Sequence, residues 1–210
     1  LIGCINTCAD RGIEYLTVFA FSSENWKRPE DEVSGLMNLV LTAVAKYLAR
    51  LSDIGVRIQI IGDRAAVSEK VRAAWEHAER VTAGNTRITL SVAFNYGGRW
   101  DIVQACQRAV ADGARAEQID EALLSKYMAL AYAPDPDLFI RTGGEVRISN
   151  FLLWQVAYSE LYFTDCLWPD FDETEIDKAL ADYAARDRRY GGVKTDISAS
   201  GQKITLAPDA

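Results

Sequence analysis

The chain has 210 residues and a mass of 23.3 kDa, with 49% hydrophobic and 25% charged residues, which is ordinary for one globular domain and excludes a disordered chain. Its 23 basic and 30 acidic side chains give a formal net charge of −7, which disfavours binding to a nucleic acid backbone. The longest charge-free run, Val33 to Ala45, is too short to span a bilayer, and four cysteines without CxxC spacing favour a reducing cytosol over a zinc ribbon or disulfide framework.

The chain opens at Leu1 with neither an initiator methionine nor the basic segment of a signal peptide. Residues 1–9 have the pattern of the interior of a helix that began earlier, so we expect the natural N-terminus to precede this sequence. Apolar β-rich runs then alternate with longer helical patterns, which indicates parallel βαβ units in one α/β domain over residues 1–192, with a polar tail over 193–210.

The predicted elements follow one another without a linker. In chain order they are strand Ile13–Phe21, helix Asp31–Leu51, strand Val56–Ile61, helix Ser68–Val81, strand Arg87–Phe94, helices Arg99–Ala111 and Ile119–Ala131, strands Asp137–Arg141 and Leu161–Phe163, and helix Glu173–Arg188. The strands are almost continuously apolar, which predicts that helices cover both faces of the sheet.

Helix Asp31–Leu51 carries more apolar surface than one buried stripe needs. Its stripe recurs every three or four residues, at Val33, Leu36, Val40, Val44, Leu48 and Leu51. Met37, Leu39 and Leu41 lie beside this stripe and widen the apolar arc. A central helix packed on two sides is the more common explanation, and a wall of a channel for a long apolar ligand is the other. Periodicity does not separate the two.

The strand that ends at Arg141 runs into Gly143 and Gly144, with Arg147 past the turn. Ligands of open α/β sheets bind beyond the carboxyl ends of the strands, which is where Arg141 falls. The two glycines allow close approach of the backbone and offer N–H donors to an anion. Two guanidinium groups with the hydroxyl of Ser149 suit a diphosphate, because arginine binds phosphate oxygens in a planar fork. A surface turn with solvated arginines is an equally weighted alternative.

A second polar group follows the first predicted strand. It combines hydrogen-bonding side chains, a flat aromatic wall and two cations, in the order Ser22, Ser23, Glu24, Asn25, Trp26, Lys27 and Arg28. Pro29 disfavours helix at the preceding residue and predicts a loop. Polar loops after strands are common, but a tryptophan followed by two cations at a ligand-binding edge is less so.

Glu160 is the first charge after a long uncharged run, which predicts that its carboxylate lies at the margin of an apolar region. A carboxylate in that position needs a cation, a metal or a hydrogen-bond donor as partner. Mg²⁺ often takes only one or two carboxylates from a protein, and a salt bridge to arginine is the alternative. Arg186, Arg188 and Arg189 form a further cation cluster, and most such clusters are solvated. His77 is the only histidine, so histidine metal sites and the usual catalytic triads have no base.

The chain resembles the bacterial cis-prenyltransferases, the undecaprenyl diphosphate synthase family, in four long segments: FSSENWKRP, NYGGRWD, DLFIRTGGEVRISNFLLWQ and SELYFTDCLWPDF. The match runs in order, with family-like spacing, from about Gly12 to Gly192. The resemblance implies a mostly parallel central sheet flanked by helices, with an apolar tunnel between them. It implies extension of an allylic diphosphate, such as farnesyl diphosphate, by isopentenyl diphosphate units with new cis double bonds, giving a polyprenyl diphosphate lipid carrier for cell-wall synthesis.

The same resemblance implies roles for the residues singled out above. The isopentenyl diphosphate clamp would be Arg141, Arg147, Ile148 and Ser149. The loop that holds and orders the substrates would contribute Ser22, Ser23, Glu24, Trp26 and Arg28. Asn25 resembles the residue associated with removal of the proton from the condensing unit, and Glu160 resembles a Mg²⁺ ligand.

The chain departs from the family pattern in two places. The family's first strand, whose Asp-Gly-Asn-Gly-Arg-Trp motif supplies a catalytic and magnesium-binding aspartate, is absent from this sequence. An ordinary enzyme is expected if that segment lies outside the sequence given, and activity is in doubt if its absence is genuine. Val146 stands where the family usually has a polar residue before Arg147, which would weaken the isopentenyl site locally.

Product length and partners complete the expectations. Ala20 is small where short-chain members tend to be larger, and Ile88 matches a position that can floor the tunnel, so we expect a C55-type product. The resemblance implies a cytoplasmic homodimer with the sheet-side helices and residues 188–192 near its interface, and the apolar product suggests peripheral contact with the membrane. Two rivals are a non-catalytic partner subunit, which would tend to lose the SENW and RTGGE motifs, and a different diphosphate-dependent α/β transferase, for example one acting on sugar nucleotides.

Overall fold

The computed structural model describes residues 1–187, in which helices and strands alternate as the sequence predicts. The α-helices are α1 (Ile2–Asp10), α2 (Glu30–Asp53), α3 (Glu69–Thr82), α4 (Gly98–Ala111), α5 (Glu121–Tyr127) and α6 (Glu173–Ala185). The strands are β1 (Tyr15–Ser22), β2 (Val56–Ile61), β3 (Ile88–Tyr96), β4 (Leu138–Arg141) and β5 (Glu160–Phe163). Short 3₁₀ helices cover Ser23–Lys27, Ala116–Gln118 and Trp168–Asp170. The predicted polar tail, with Arg188 and Arg189, lies outside the described residues.

The predicted helix Ile119–Ala131 is too long, because α5 ends at Tyr127. Met128 adopts an extended conformation, with φ −64° and ψ 154°, and the following chain turns into the core. Met128 and Leu130 are buried, and the backbone N–H of Ala129 donates to the carboxylate of Asp101. Tertiary contacts therefore end this helix where the apolar pattern alone would continue it.

The strands form two parallel sets. In the first, β3 lies between β1 and β2, and in the second β4 pairs with β5. Parallel pairing with intervening helices confirms the predicted α/β class. Burial on both faces is found for the central strand β3, in which Leu90, Ser91 and Ala93 are all buried. The prediction of burial on both faces is wrong for β1. Tyr15 of this strand is 38% exposed, because β1 is an edge strand of the first set.

The main core fills the space between one face of this sheet and helices α1, α2, α3 and α6. Its buried residues include Ile5 of α1, Val56 and Ile58 of β2, Leu90 of β3 and Ile176 of α6. A second cluster lies at the other face, near the carboxyl ends of the strands, where Phe19 stacks on Phe151 with ring centroids 4.4 Å apart. This second cluster supports the segment that follows β4.

Helix α2 packs against both α3 and the sheet. Val33 is buried, and Met37 and Leu41 pack on a cluster built around Phe21, Trp75 and Phe94. On the other side of the helix, Leu39 is 64% exposed. Two of the three residues that widen the apolar arc are therefore packed and one is exposed.

The carboxyl ends of β1 and β3 are irregular, and this irregularity shapes the candidate site. The register shifts between Phe19 and Phe21 on β1, and again before Ser22 pairs with Tyr96. Ala20 and Asn95 are thus the extra residues of two bulges, and bulges re-aim side chains next to functional sites. Within residues 1–187, no helix is long and apolar enough to cross a membrane.

Candidate functional site

The loop after β1 folds into the 3₁₀ helix Ser23–Lys27 and is tied to the strand end by its own side chains. The backbone N–H of Ser22 donates to Oδ1 of Asn25 over 2.8 Å, which closes a capping box. Trp26 packs edge-on against Phe21, with ring centroids 5.4 Å apart. Its indole N–H donates to Oδ1 of Asn95 over 2.7 Å. The predicted substrate loop is therefore an ordered turn with a fixed tryptophan.

Glu24 projects from this loop toward a distant part of the chain. Its Oε1 accepts from Nδ2 of Asn150 over 2.7 Å, and its Oε2 accepts from the hydroxyl of Ser23. Burial raises the pKa of Glu24, but the hydrogen bonds from Asn150, its own backbone, Ser23 and Ser22 outweigh burial and hold the pKa below its ordinary value. Glu24 is therefore an ionised anchor between two loops.

Asn150 is the junction between the two predicted site segments. Its carbonyl oxygen accepts from the backbone N–H of Gly98, and its Oδ1 accepts from the backbone N–H of Arg99. Both donors belong to the first turn of α4, where backbone N–H groups need partners from outside the helix. A side chain at Gly97 would lie 2.6 Å from the Ser23 hydroxyl, so glycine lets this loop approach. The loop, α4 and the segment after β4 meet at Asn150.

The predicted diphosphate clamp is assembled around Arg141 at the carboxyl end of β4. One guanidinium nitrogen, Nη1, donates to the carbonyl of Arg147 over 2.8 Å and to the hydroxyl of Ser149 over 2.7 Å. Ser149 has φ +48°, which turns its side chain back toward the arginine. Ile148, half-buried, packs on the second apolar cluster. The structure thus brings all four predicted clamp residues to one place.

The two glycines after Arg141 do not offer their N–H groups to a ligand, and this expectation was wrong. Gly143 donates to the carbonyl of Cys166 over 2.9 Å, and Gly144 donates to that of Thr164 over 3.0 Å. Both have left-handed φ angles, +87° and +74°. Their role is to pair this turn with the chain after β5. An anion at this turn would meet side chains and not these N–H groups.

The three arginines of the site differ in their partners. Arg28 pairs with Glu32, and Arg147 pairs with Glu145. No ion pair within residues 1–187 joins Arg141 to a carboxylate, so its charge is balanced only by a carbonyl and a hydroxyl. A guanidinium without a carboxylate partner retains more of its attraction for a phosphate group. Of the three, Arg141 is the best placed to bind a diphosphate. Val146, between these groups, is 74% exposed.

Glu160 lies away from the clamp. It pairs with Leu138 at the amino ends of β4 and β5, and three residues of strand, about 10 Å, separate Leu138 from Arg141. Its Oε2 accepts from Nη1 of Arg186 over 2.8 Å. Arg186 also pairs with Asp182, so this member of the cation cluster is not simply solvated. No group of three or more acidic, histidine or cysteine side chains suited to a metal occurs among the described residues.

Sequence reasoning missed a buried polar network beneath the site. Asp101, 0% exposed, accepts from the hydroxyl of Tyr96, from Nε2 of both Gln104 and Gln155, and from the backbone N–H of Ala129. Burial, with the charge and hydrogen bond of Asp101, raises the pKa of Tyr96. One signal was available: Asp101 falls four residues before Ala105 and eight before Ala109, on the buried face of α4.

We expect the Asn150→Gly variant to raise the pKa of Glu24, because the lost amide hydrogen bond favours the ionised carboxylate. Glycine keeps the left-handed backbone, which has φ +60°. A carboxyl whose folded pKa is depressed stabilises the fold above its unfolded pKa and loses that contribution as the pH falls through its folded pKa. In the variant the loss should come at a higher pH. Carbon-13 NMR titration of the glutamate carboxyls measures the change.

The Ser23→Ala variant is the matched control for Asn150→Gly, because it removes a longer side-chain contact to the same carboxylate, at 3.1 Å against 2.7 Å. Its effect on the pKa of Glu24 should be smaller and in the same direction. An unchanged pKa of Glu24 in Asn150→Gly would contradict the assignment of Asn150 as the junction.

Known proteins match this chain over nearly its whole length. A family profile described as "Putative undecaprenyl diphosphate synthase" matches residues 1–191. The isoprenyl transferase of Neisseria gonorrhoeae is 53% identical over 199 residues, which cover 95% of this chain and 79% of that protein. The farnesyl-diphosphate-specific ditrans,polycis-undecaprenyl-diphosphate synthase of Pseudomonas aeruginosa is 50% identical over 202 residues, covering 94% and 80%.

Among solved structures, a "probable undecaprenyl diphosphate synthase" from Campylobacter jejuni superposes with a TM-score of 0.85 at 32% identity. The match covers 90% of this chain and 89% of that one. Likeness in sequence and likeness in fold therefore point to the same group of proteins.

Proposed function

The chain belongs to the undecaprenyl diphosphate synthase family and is a cis-prenyltransferase; from this premise we propose that it extends farnesyl diphosphate by isopentenyl diphosphate units. The resemblance read from the sequence motifs is thereby confirmed at the level of the family. The observation that carries the proposal is the clamp, in which Arg141 holds Ser149 and the backbone of Arg147 at the carboxyl end of β4. The substrate loop is joined to this clamp through Glu24 and Asn150.

The reaction needs grip and charge stabilisation more than a nucleophilic side chain. The allylic carbon–oxygen bond breaks, and the diphosphate leaves with the electron pair. The double bond of the isopentenyl unit supplies the pair that forms the new carbon–carbon bond, and a proton is then lost to restore a double bond. Fixed cations that face the departing charge stabilise the transition state. Arg141, Arg147 and Ser149 hold the isopentenyl diphosphate in this proposal.

The loop residues orient the allylic diphosphate and act at the step in which the proton is lost. Trp26 offers a flat apolar wall fixed by its indole hydrogen bond, and Arg28 places a cation beside it. Asn25 is proposed to act at the proton-removal step, and its Oδ1 already accepts from the backbone of Ser22. That bond fixes the side chain, which leaves its NH₂ group as the part directed to other partners.

Mg²⁺ is the cofactor that this proposal adds, and Glu160, about 10 Å along the strand from the clamp, is its one proposed protein ligand among the described residues. Glu160 is part-exposed, with a side chain 27% accessible, and a single carboxylate can hold Mg²⁺ when diphosphate oxygens and water complete the shell. Its present partner is Arg186, which a metal would have to displace. Bound Mg²⁺ would neutralise diphosphate oxygens as negative charge develops on the leaving group.

We expect Glu160→Gln to raise the Mg²⁺ concentration needed for half-maximal activity by about tenfold, since a neutral amide is a weaker ligand for a hard cation. Activity measured against Mg²⁺ concentration after treatment with a chelator tests this. Asp182→Asn is the matched control, because Asp182 is the other carboxylate bound to Arg186 and has no metal role in the proposal. Equal shifts of the half-maximal Mg²⁺ concentration in the two variants would refute the assignment of Glu160 as a metal ligand.

The proposed product is a long-chain, C55-type polyprenyl diphosphate, the lipid carrier for cell-wall synthesis. One feature supports this length: Ala20 is small and exposed at its bulge. Ile88, proposed as the floor of the tunnel, is 1% exposed and lies in the main core.

The experiment that tests the function is condensation of radiolabelled isopentenyl diphosphate with farnesyl diphosphate and Mg²⁺, followed by chromatography of the products. A long-chain product is expected, and products that end at C15 or C20 would overturn the proposed length. Absence of condensation would overturn the function. We also propose a cytoplasmic homodimer with peripheral membrane contact, and a monomer mass by light scattering would contradict the dimer.

A further inference from the structure

Asn95 lies at the end of the central strand and is joined to both loops that flank it. Its Oδ1 accepts the indole N–H of Trp26 over 2.7 Å, and its Nδ2 donates to the carbonyl of Asp63 over 2.8 Å. Its own carbonyl accepts the backbone N–H of Asp63 over 3.1 Å. Three hydrogen bonds therefore connect one side chain and its backbone to the loop after β1 and to the connection between β2 and α3.

The chemistry of the partners fixes which end of the amide faces which loop. An indole N–H can only donate, so the oxygen of Asn95 must face Trp26. A carbonyl can only accept, so the nitrogen must face Asp63. Asn95 is 4% exposed, and burial makes an unmade hydrogen bond costly at either end. Asn is the amide that satisfies both partners at this reach.

The backbone at Asn95 is shaped for this task. It is the extra residue of a bulge in β3 and has φ +50°, a left-handed conformation that Asn tolerates better than most residues. On the other side of the contact, Gly62 has φ +128°, and a side chain there would lie 1.9 Å from the carbonyl of Phe94. The close approach of the loop after β2 to the end of β3 therefore requires both residues.

The loops that Asn95 joins both line a cleft beside the site, about 630 Å³ in volume, together with the first turns of α2. Trp26 and Arg28 line one wall, and Val67 and Ser68 line the other. We infer that Asn95 is a positioning residue that acts through Trp26: it holds the indole at a fixed distance from the opposite wall, and so sets the width of the cleft for the prenyl substrate. The catalytic consequence rests on the proposed function, whereas the indole contact does not.

The first test needs no activity. In nitrogen-15 NMR spectra of tryptophan-labelled protein, the Trp26 indole hydrogen should exchange with solvent more slowly than that of Trp168, whose residue is 47% exposed against 38% for Trp26. Asn95→Gly keeps the backbone conformation and removes the amide, so it should shift the Trp26 signal and speed its exchange. Asn95→Asp keeps an acceptor for the indole and loses the donor for Asp63, so the signal should remain near its original position.

The second test asks whether Asn95 acts through Trp26. Asn95→Gly and Trp26→Phe each remove the same hydrogen bond, so each should lower kcat/KM by about tenfold, the upper range for a neutral hydrogen bond. The loss should divide between kcat and KM in the same way in both variants. The double variant should be no worse than either single one, because the contact can be lost only once.

Two outcomes would overturn the inference. One is an unchanged Trp26 indole signal in Asn95→Gly. If that variant does not fold, rapid exchange of the Trp26 indole hydrogen in the original protein overturns the inference instead. The other is multiplication of the two activity losses in the double variant, which would mean that Asn95 and Trp26 act independently. If the chain condenses no isopentenyl diphosphate while the indole results hold, the proposed function fails and the positioning of Trp26 stands.

Discussion

Arg141→Ala is expected to lower kcat/KM for isopentenyl diphosphate by about 10³-fold, which corresponds to the loss of two charge-assisted hydrogen bonds of about 2 kcal/mol each to the bound diphosphate. Two effects combine. The substrate diphosphate loses a guanidinium that has no carboxylate partner among the described residues, and the segment after β4 loses its tether. Ser149 and the carbonyl of Arg147 both bind Nη1 of Arg141, so the other clamp residues are released. Steady-state kinetics with varied isopentenyl diphosphate measures the loss.

Variants of the same segment separate those two effects. Arg141→Lys keeps the charge but not the planar fork, so it should recover only part of the activity. Ser149→Ala removes one tether and keeps the guanidinium, so its loss should be much smaller than that of Arg141→Ala. Arg108→Ala, an exposed arginine in the last turn of α4, is the control for lost positive charge. Near-normal kcat/KM in Arg141→Ala would refute the clamp.

Asp101→Ala is expected to lower the free energy of unfolding by about 4 kcal/mol, because several buried hydrogen-bond donors lose their acceptor at once. Four donors converge on this carboxylate, from Tyr96, Gln104, Gln155 and the backbone of Ala129. All four would be left buried without an acceptor, and a cavity would remain. Urea unfolding with linear extrapolation measures the change.

Asp101→Asn should cost less than Asp101→Ala. Oε1 of Gln155 is buried and has no hydrogen-bond partner in the described structure, so rotation of that amide can offer an acceptor to the new NH₂ group. The surface pair Tyr127 and Asp112 is the matched control, because it repeats the hydroxyl–carboxylate contact at 3.0 Å in an exposed position. Asp112→Ala should cost less than about 1 kcal/mol. Similar losses for Asp101→Ala and Asp112→Ala would show that the buried network does not stabilise the fold.

Much of the fold could be predicted from the sequence because it depends on local pattern. Apolar runs placed all five strands within two residues of their observed limits. The helix predicted to end at Ala131 failed because its last residues are fixed by a long-range contact, the bond from Ala129 to Asp101. The exposure of Tyr15 on an edge strand could not be predicted either, since strand order does not follow from strand composition.

The site was predictable as a set of residues and not as a set of contacts. Arg141, Arg147 and Ser149 were recognisable because they are close in sequence and lie at a strand end. The hydrogen bond between Glu24 and Asn150 joins residues 126 positions apart, and no local sequence pattern predicts it. Asn95 and Gly143 show the same limit: what an amide or a backbone N–H binds depends on which loop the fold brings to it.

The left-handed backbone of the segment after β4 limits which residues this protein can carry there. Ser149, Asn150 and Leu152 all have φ between +48° and +60°, and for a residue such as leucine this conformation costs about 1–2 kcal/mol. Glycine would relieve the backbone at each position, but it would delete the hydroxyl on Arg141, the amide on Glu24 or a side chain of the second apolar cluster. At Ser149 and Asn150 relief of the backbone therefore opposes contacts of the proposed site, whereas at Leu152 it opposes core packing, whose loss costs about 2–5 kcal/mol. A stabilised descendant of this chain should change elsewhere first.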